Sequence, residues 1–119
     1  MIETQFLDYV SGIAGAVPCR MELPPEPPAA LIVIERTGGT VGETEFNTAT
    51  FAVQTYGSSL YNAAMLARDI VPKILRMKYD VENVSSIKVN AGPYNFTDTD
   101  NKKYRYQTVF ELSYYETEE

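Results

Sequence analysis

The sequence predicts an α+β domain: a four-stranded, mostly antiparallel sheet with two helices packed on one face, in the order α-β-β-α-β-β. Three observations predict it. Two segments repeat apolar residues at helical spacing, at residues 2–16 and 60–75. Two others, residues 46–56 and 104–114, alternate apolar and polar residues with the period of a half-buried strand. A proline-rich block and a glycine pair punctuate the chain between them. With 119 residues there is length for one compact domain, residues 1–119, and too little for two independent cores.

In the first segment Ile2, Phe6, Tyr9, Val10 and Ile13 recur at steps of three and four, which places them on one helical stripe. Gly12 and Gly15 weaken its end and Pro18 stops it. Pro24, Pro25, Pro27 and Pro28 around Glu26 then forbid helix and remove ladder donors, so an extended, stiff connector is expected. Leu31 to Arg36 is a short apolar run ending in charge, read as a buried strand. Thr37-Gly38-Gly39-Thr40 reads as the loose polar tip of a hairpin, with Glu43-Thr44-Glu45 close by. Residues 46–56 return as the second strand.

Ser58 or Ser59 is placed to cap the second helix. Its stripe is Leu60, Ala63, Ala64, Ala67, Ile70, Val71, Ile74 and Leu75, and Pro72 is expected to bend or divide it. Ile87, Val89 and Ala91 form a third strand and Tyr104 to Tyr114 a fourth, joined by a long polar loop over residues 92–102. The acidic end at Glu116, Glu118 and Glu119 is expected to fray.

Composition narrows the function classes. Sixteen acidic against ten basic residues give a net charge of -6, which repels phosphate and gives no support to docking on duplex DNA or an anionic membrane. The start, Met1-Ile2-Glu3, lacks the basic and apolar regions of a signal peptide. Cys19 is alone, which fits a reducing compartment, so the sequons at Asn83 and Asn95 are chance matches. With no His, the commonest general base and zinc ligand are missing, along with every Ser-His or Cys-His pair. No catalytic, metal or cofactor site is expected.

Gly38, Gly39 and Gly42 follow a strand, but a second strand comes next, where a phosphate loop requires a helix. Asp98, Asp100 and Asn101 resemble the start of a calcium loop and lack its glycine. Asp100-Asn101-Lys102 also resembles the tail of a metal-dependent nuclease motif, without further acids on neighbouring strands. Arg36, Arg68 and Arg105 are either partner contacts, for which guanidinium geometry suits them, or surface ion pairs.

The order of these pieces resembles the tail-terminator and minor tail-completion proteins of long-tailed bacteriophages. The resemblance runs over most of the chain. It is carried by Ile34-Glu35-Arg36-Thr37-Gly38-Gly39, Phe51-Ala52-Val53-Gln54-Thr55-Tyr56, Ala63-Ala64-Met65-Leu66-Ala67, Gly92-Pro93-Tyr94 and Tyr104-Arg105-Tyr106. Family members often place Pro before the last-strand arginine, where this chain has Tyr104. The resemblance implies a virion structural protein that is not an enzyme. Such a protein forms a homo-oligomeric ring, commonly a hexamer, at the head-proximal end of the tail. There it ends tube growth and joins tail to head. Its partners would be copies of itself, the tail tube protein and a head-tail connector protein, without specific nucleic-acid binding or membrane contact. It would act in the virion, after assembly in the host cytoplasm. Arg36, Thr37, Gly38, Gly39, Tyr94 and Arg105 are the interface positions carried over. The alternatives are a head-closure or connector component and, from another class, a small carboxylate-and-metal enzyme such as a nuclease.

Overall fold

The computed structural model describes residues 1–41 and 47–116. Gly42, Glu43, Thr44, Glu45, Glu118 and Glu119, which figured in the hairpin-tip and acidic-end expectations, lie outside them. The elements run α1 (Ile2–Ile13), β1 (Cys19–Arg20), β2 (Leu31–Val41), β3 (Asn47–Gly57), α2 (Leu60–Ile74), α3 (Met77–Asp80), β4 (Val84–Asn95) and β5 (Tyr104–Tyr114).

The fold is α+β, and the sheet has five strands, in the order β1-β2-β3-β5-β4, where four were expected. The addition is β1, a two-residue strand parallel to β2 that pairs Cys19 with Ile32 and Arg20 with Val33. The sheet is therefore mixed. Its other pairings are antiparallel. Two residues leave no alternation to read, so β1 is invisible in the sequence.

The helical stripes fall where their spacing put them, except that Leu60 at the start of α2 is exposed. Ile2, Phe6 and Val10 of α1 and Ala63, Ala67, Ile70 and Ile74 of α2 are buried. They join Ile32, Ile34, Ala49, Phe51, Val53, Phe110 and Leu112 of the sheet in one core on one face. Ser59 is the cap of α2, its hydroxyl accepting from the Asn62 amide at 3.1 Å. The helix runs through Pro72 and ends two residues later, before the short α3. Pro72 and Arg68 are both exposed, so the Arg68 carbonyl that loses its partner is on the watery side.

Two readings of glycine need correction. Thr37-Gly38-Gly39-Thr40 is no turn: it belongs to β2, where Gly38 pairs with Thr50, Gly39 with Ala49 and Thr40 with Thr48. The ladder slips between Arg36 and Gly38, a bulge at Thr37. Gly39 has φ +123°, and a Cβ there would stand 2.2 Å from the Thr48 carbonyl oxygen. The glycines thus serve a bulged strand instead of its end. Likewise the expected 92–102 loop is half strand. β4 continues through the cis Gly92-Pro93 bond to Asn95, and Phe96 still donates to the Arg105 carbonyl. Three register shifts along β4 scramble its alternation, which is why its second half reads as loop.

Candidate functional site: the open face of the sheet

Helices cover one face of the sheet. On the other, the register lines up residues from neighbouring strands. Leu31, Tyr56 and Arg105 form one row; Val33, Gln54, Gln107 and Tyr94 form the next. Residues opposite one another on adjacent strands share a face, so each row is a ladder of touching side chains. Leu31, Val33 and Tyr56 make a second buried apolar cluster here.

The polar members of the rows are tied into one network. The Gln54 amide donates to the Gln107 side-chain oxygen at 3.0 Å, and the Gln107 amide donates to the Tyr94 hydroxyl at 2.6 Å. The Tyr56 hydroxyl donates to Gln54 at 3.5 Å and accepts from Arg105 Nη1 at 2.9 Å. Arg105 Nε donates to the Phe96 carbonyl at 2.6 Å, while its guanidinium carbon lies 4.6 Å from the Phe96 ring centre. Tyr94 meets Phe96 edge-on at 6.2 Å. Arg105 thus clamps the β4–β5 hairpin to β3 through Nε and Nη1. Tyr56 and Gln54 are themselves buried, so the part of the network offered for contact is its pre-ordered outer edge, the exposed rings of Tyr94 and Phe96 beside Arg105 and Gln107.

The carried-over interface positions do not form one site. Arg105 and Tyr94 belong to this open face. Arg36 pairs with Phe51 and so points to the helix side, five residues along β3 from the Tyr56 that faces Arg105, a run of about 17 Å. There Arg36 donates to the carbonyls of Gly38 at 3.1 Å and Thr48 at 3.4 Å and forms a 3.5 Å ion pair with Glu3. Thr37 bonds the Thr50 carbonyl at 3.5 Å. Arg36 and Thr37 therefore hold the bulge in shape and tie it to α1. Sequence reasoning missed Tyr56, Gln107 and Phe96, although alternation about Gln54 and Arg105 put the first two on a shared face.

The acidic loop is accounted for locally. The Asp98 carboxylate accepts from the backbone amides of Asp100 and Asn101 and from the Asn101 side chain at 2.8 Å. That last bond, with the backbone bonds, holds its carboxyl below the usual range. Among the described residues no three metal-ligating side chains come together, and no helix is long and apolar enough to cross a membrane. Burial pushes the Cys19 thiol up to about 11, as expected of a core cysteine.

No family model and no curated protein matches the chain. Among solved structures it is similar to a chain in the "Virion of native gene transfer agent (GTA) particle", with a TM-score of 0.53 and 11% identity. The match covers 95% of this chain and 91% of that one. At that identity the likeness is one of fold.

Proposed function

We propose that this protein is a virion structural component of a tailed-phage-like particle. It forms a ring at the head-proximal end of the tail, ends tube growth and joins tail to head. The observation that carries the reading is the fold shared over nearly the whole of both chains with a component of a gene transfer agent virion. The order of sequence motifs from Arg36-Thr37-Gly38-Gly39 to Tyr104-Arg105-Tyr106 supports the tail-end assignment through its family resemblance. The function is one of contact, made by pre-ordered surfaces such as Tyr94 and Phe96 at the exposed edge of the Arg105 network, and it needs no cofactor.

The test is native mass across concentration and salt, with electron microscopy of the particles formed and of tail tubes mixed with the protein. Annular assemblies that bind tube ends are expected. A chain that stays monomeric throughout, tubes present, would overturn the reading. Metal-dependent cleavage of DNA by the purified protein would point instead to the enzyme class.

A further inference from the structure

Residues 1–57 carry seven acids and two cations, whereas residues 58–119 carry nine acids and eight cations. Among the described residues, five of the first half's acids and both its cations belong to α1, β1, the 21–30 connector and β2. β1 and β2 stand at one edge of the sheet and β5 and β4 at the other, while α1 spans between them, bonded through Tyr9 to Asp80 and through Gln5 to Asn83.

Each side carries an exposed apolar feature. On the β4 side a groove of about 310 Å³ is lined by Tyr61, Ala64, Met65 and Arg68 of α2 and by Pro93 and Tyr106 of the hairpin. Positions 61, 64, 65 and 68 make a second helical stripe, beside the buried one at Ala63, Ala67, Ile70 and Ile74. Folding leaves it open, with Tyr61 71% and Met65 44% exposed. On the β1 side runs Met21-Glu22-Leu23-Pro24-Pro25-Glu26, where Met21 and Leu23 are each 40% exposed beside two acids.

The geometry points to a second copy of this chain as the occupant of the groove, the acidic, proline-rich connector of one copy seating in the Tyr61–Met65–Arg68 groove of the next. Four matches carry it. The connector is not extended as its prolines predicted, since β1 lies parallel to β2 and residues 21–30 bend back from Arg20 to Leu31, but those prolines still fix the backbone and lower the entropy lost on docking. The exposed Met21 and Leu23 supply apolar surface for Tyr61, Met65, Pro93 and Tyr106. Arg68 lies in the groove, while Glu22 and Glu26 lie on the connector. The connector and the groove are two different surfaces of the chain, so the contact runs head to tail, the geometry that closes rings or extends filaments. The inference names the junction of the proposed ring, and its self-association rests on that reading.

Cross-linking of full-length chains in a Cys19→Ala background tests it. Copies with Leu23→Cys are mixed with copies carrying Met65→Cys, or Tyr79→Cys as an exposed control on α3, and oxidised mildly. Docking raises the local thiol concentration, so roughly tenfold more mixed dimer is expected with Met65→Cys than with Tyr79→Cys. Equal yields would overturn the assignment. Arg68→Glu in the groove copy should lower the yield, and Glu22→Arg with Glu26→Arg in the connector copy should restore it. Absence of rescue would remove the charge match on which the pairing stands. Rings seen by native mass without selective cross-linking sink this junction and leave the ring. Selective cross-linking in assemblies that never close sinks the ring and leaves the junction.

Discussion

Phe6 of α1 stacks on Phe51 of the central strand β3, ring centres 4.3 Å apart and planes 16° from parallel. Phe110 of β5 completes the contact at 6.4 Å. This single side chain joins the first helix to β3 and β5. Phe6→Ala should cost about 3–5 kcal/mol, the range for emptying a buried aromatic site. Denaturant unfolding measures it; a loss under about 1 kcal/mol would mean that α1 is not docked on the sheet.

Ala67 is fully buried in the middle of the α2 stripe. Ala67→Asp places a carboxylate among the apolar side chains of one continuous core, with no partner, and should destabilise by roughly 3 kcal/mol or more. Ala64→Asp, on the half-buried groove side of the same helix, should cost far less. Equal melting temperatures for both variants and the wild type would contradict the packing of α2.

Gly39 and Gly38 should respond oppositely to the same change. Gly38→Ala meets nothing closer than Thr50 at 3.8 Å and should be close to neutral. Gly39→Ala combines φ +123° with a backbone clash 2.2 Å away, so it must distort the β2–β3 ladder at a cost of order 1–3 kcal/mol. Thermal unfolding of the two variants side by side checks this, and similar effects from both would show the bulge to be adaptable.

The same pair of glycines shows where sequence reading reached its limit. Periodicity located α1 and α2 because each stripe spans several turns with few interruptions, and it located β3 and β5 because each is continuous and alternating. A glycine signals only backbone freedom, and that freedom serves a positive φ inside a strand at Gly39 and a turn elsewhere equally well. β4 fails for a related reason: its register shifts at Ser86, Ala91 and Tyr94 each reverse which parity faces the core. Of the candidate site, Arg105 and Tyr94 were legible as positions. Their tie to Tyr56, Gln54 and Gln107 depends on strand order, since β3 pairs with β5 and not with β4, and order is a tertiary fact.

Stability should fall in strongly alkaline solution through two buried or bonded protons. Burial raises Cys19 from its ordinary 9.0 to about 11. Burial first, then the 2.5 Å bond that Tyr9 donates to Asp80, raises Tyr9 from 10.0 to about 12. Both pKa values are higher folded than unfolded, so their contribution is fully present below pH 9 and lost as pH rises through about 11 and then about 12. Denaturant midpoints against pH should decline over that window in the wild type. A Cys19→Ala, Tyr9→Phe double variant should decline less. Parallel curves would assign the loss to other groups.

Salt should promote self-association, and duplex DNA should not be retained. Each copy carries a net charge of -6, and the family resemblance implies roughly six copies in a ring, so free subunits repel one another over the long range. Screening acts on that long-range term first, because the Debye length shrinks to about 8 Å at physiological ionic strength, while a pair such as Arg68 with Glu22 in a closed groove is screened less. Native mass should therefore shift upward as salt is raised from low values. The same net charge opposes phosphate, so if the proposed ring encloses a passage for DNA, its walls would not hold the duplex by releasing counterions. Four cations on α2 and α3 (Arg68, Lys73, Arg76 and Lys78) are the strongest local exception. Three of these already serve within the chain: Lys73 pairs with Asp69 at 3.3 Å, and Arg76 and Lys78 lie over the Tyr79 ring at 5.5 and 5.2 Å. Electrophoretic mobility of duplex DNA at low salt is the measurement. A tight complex that dissolves with a steep salt slope would place the nucleic acid on that helical patch and count against a non-adhesive channel.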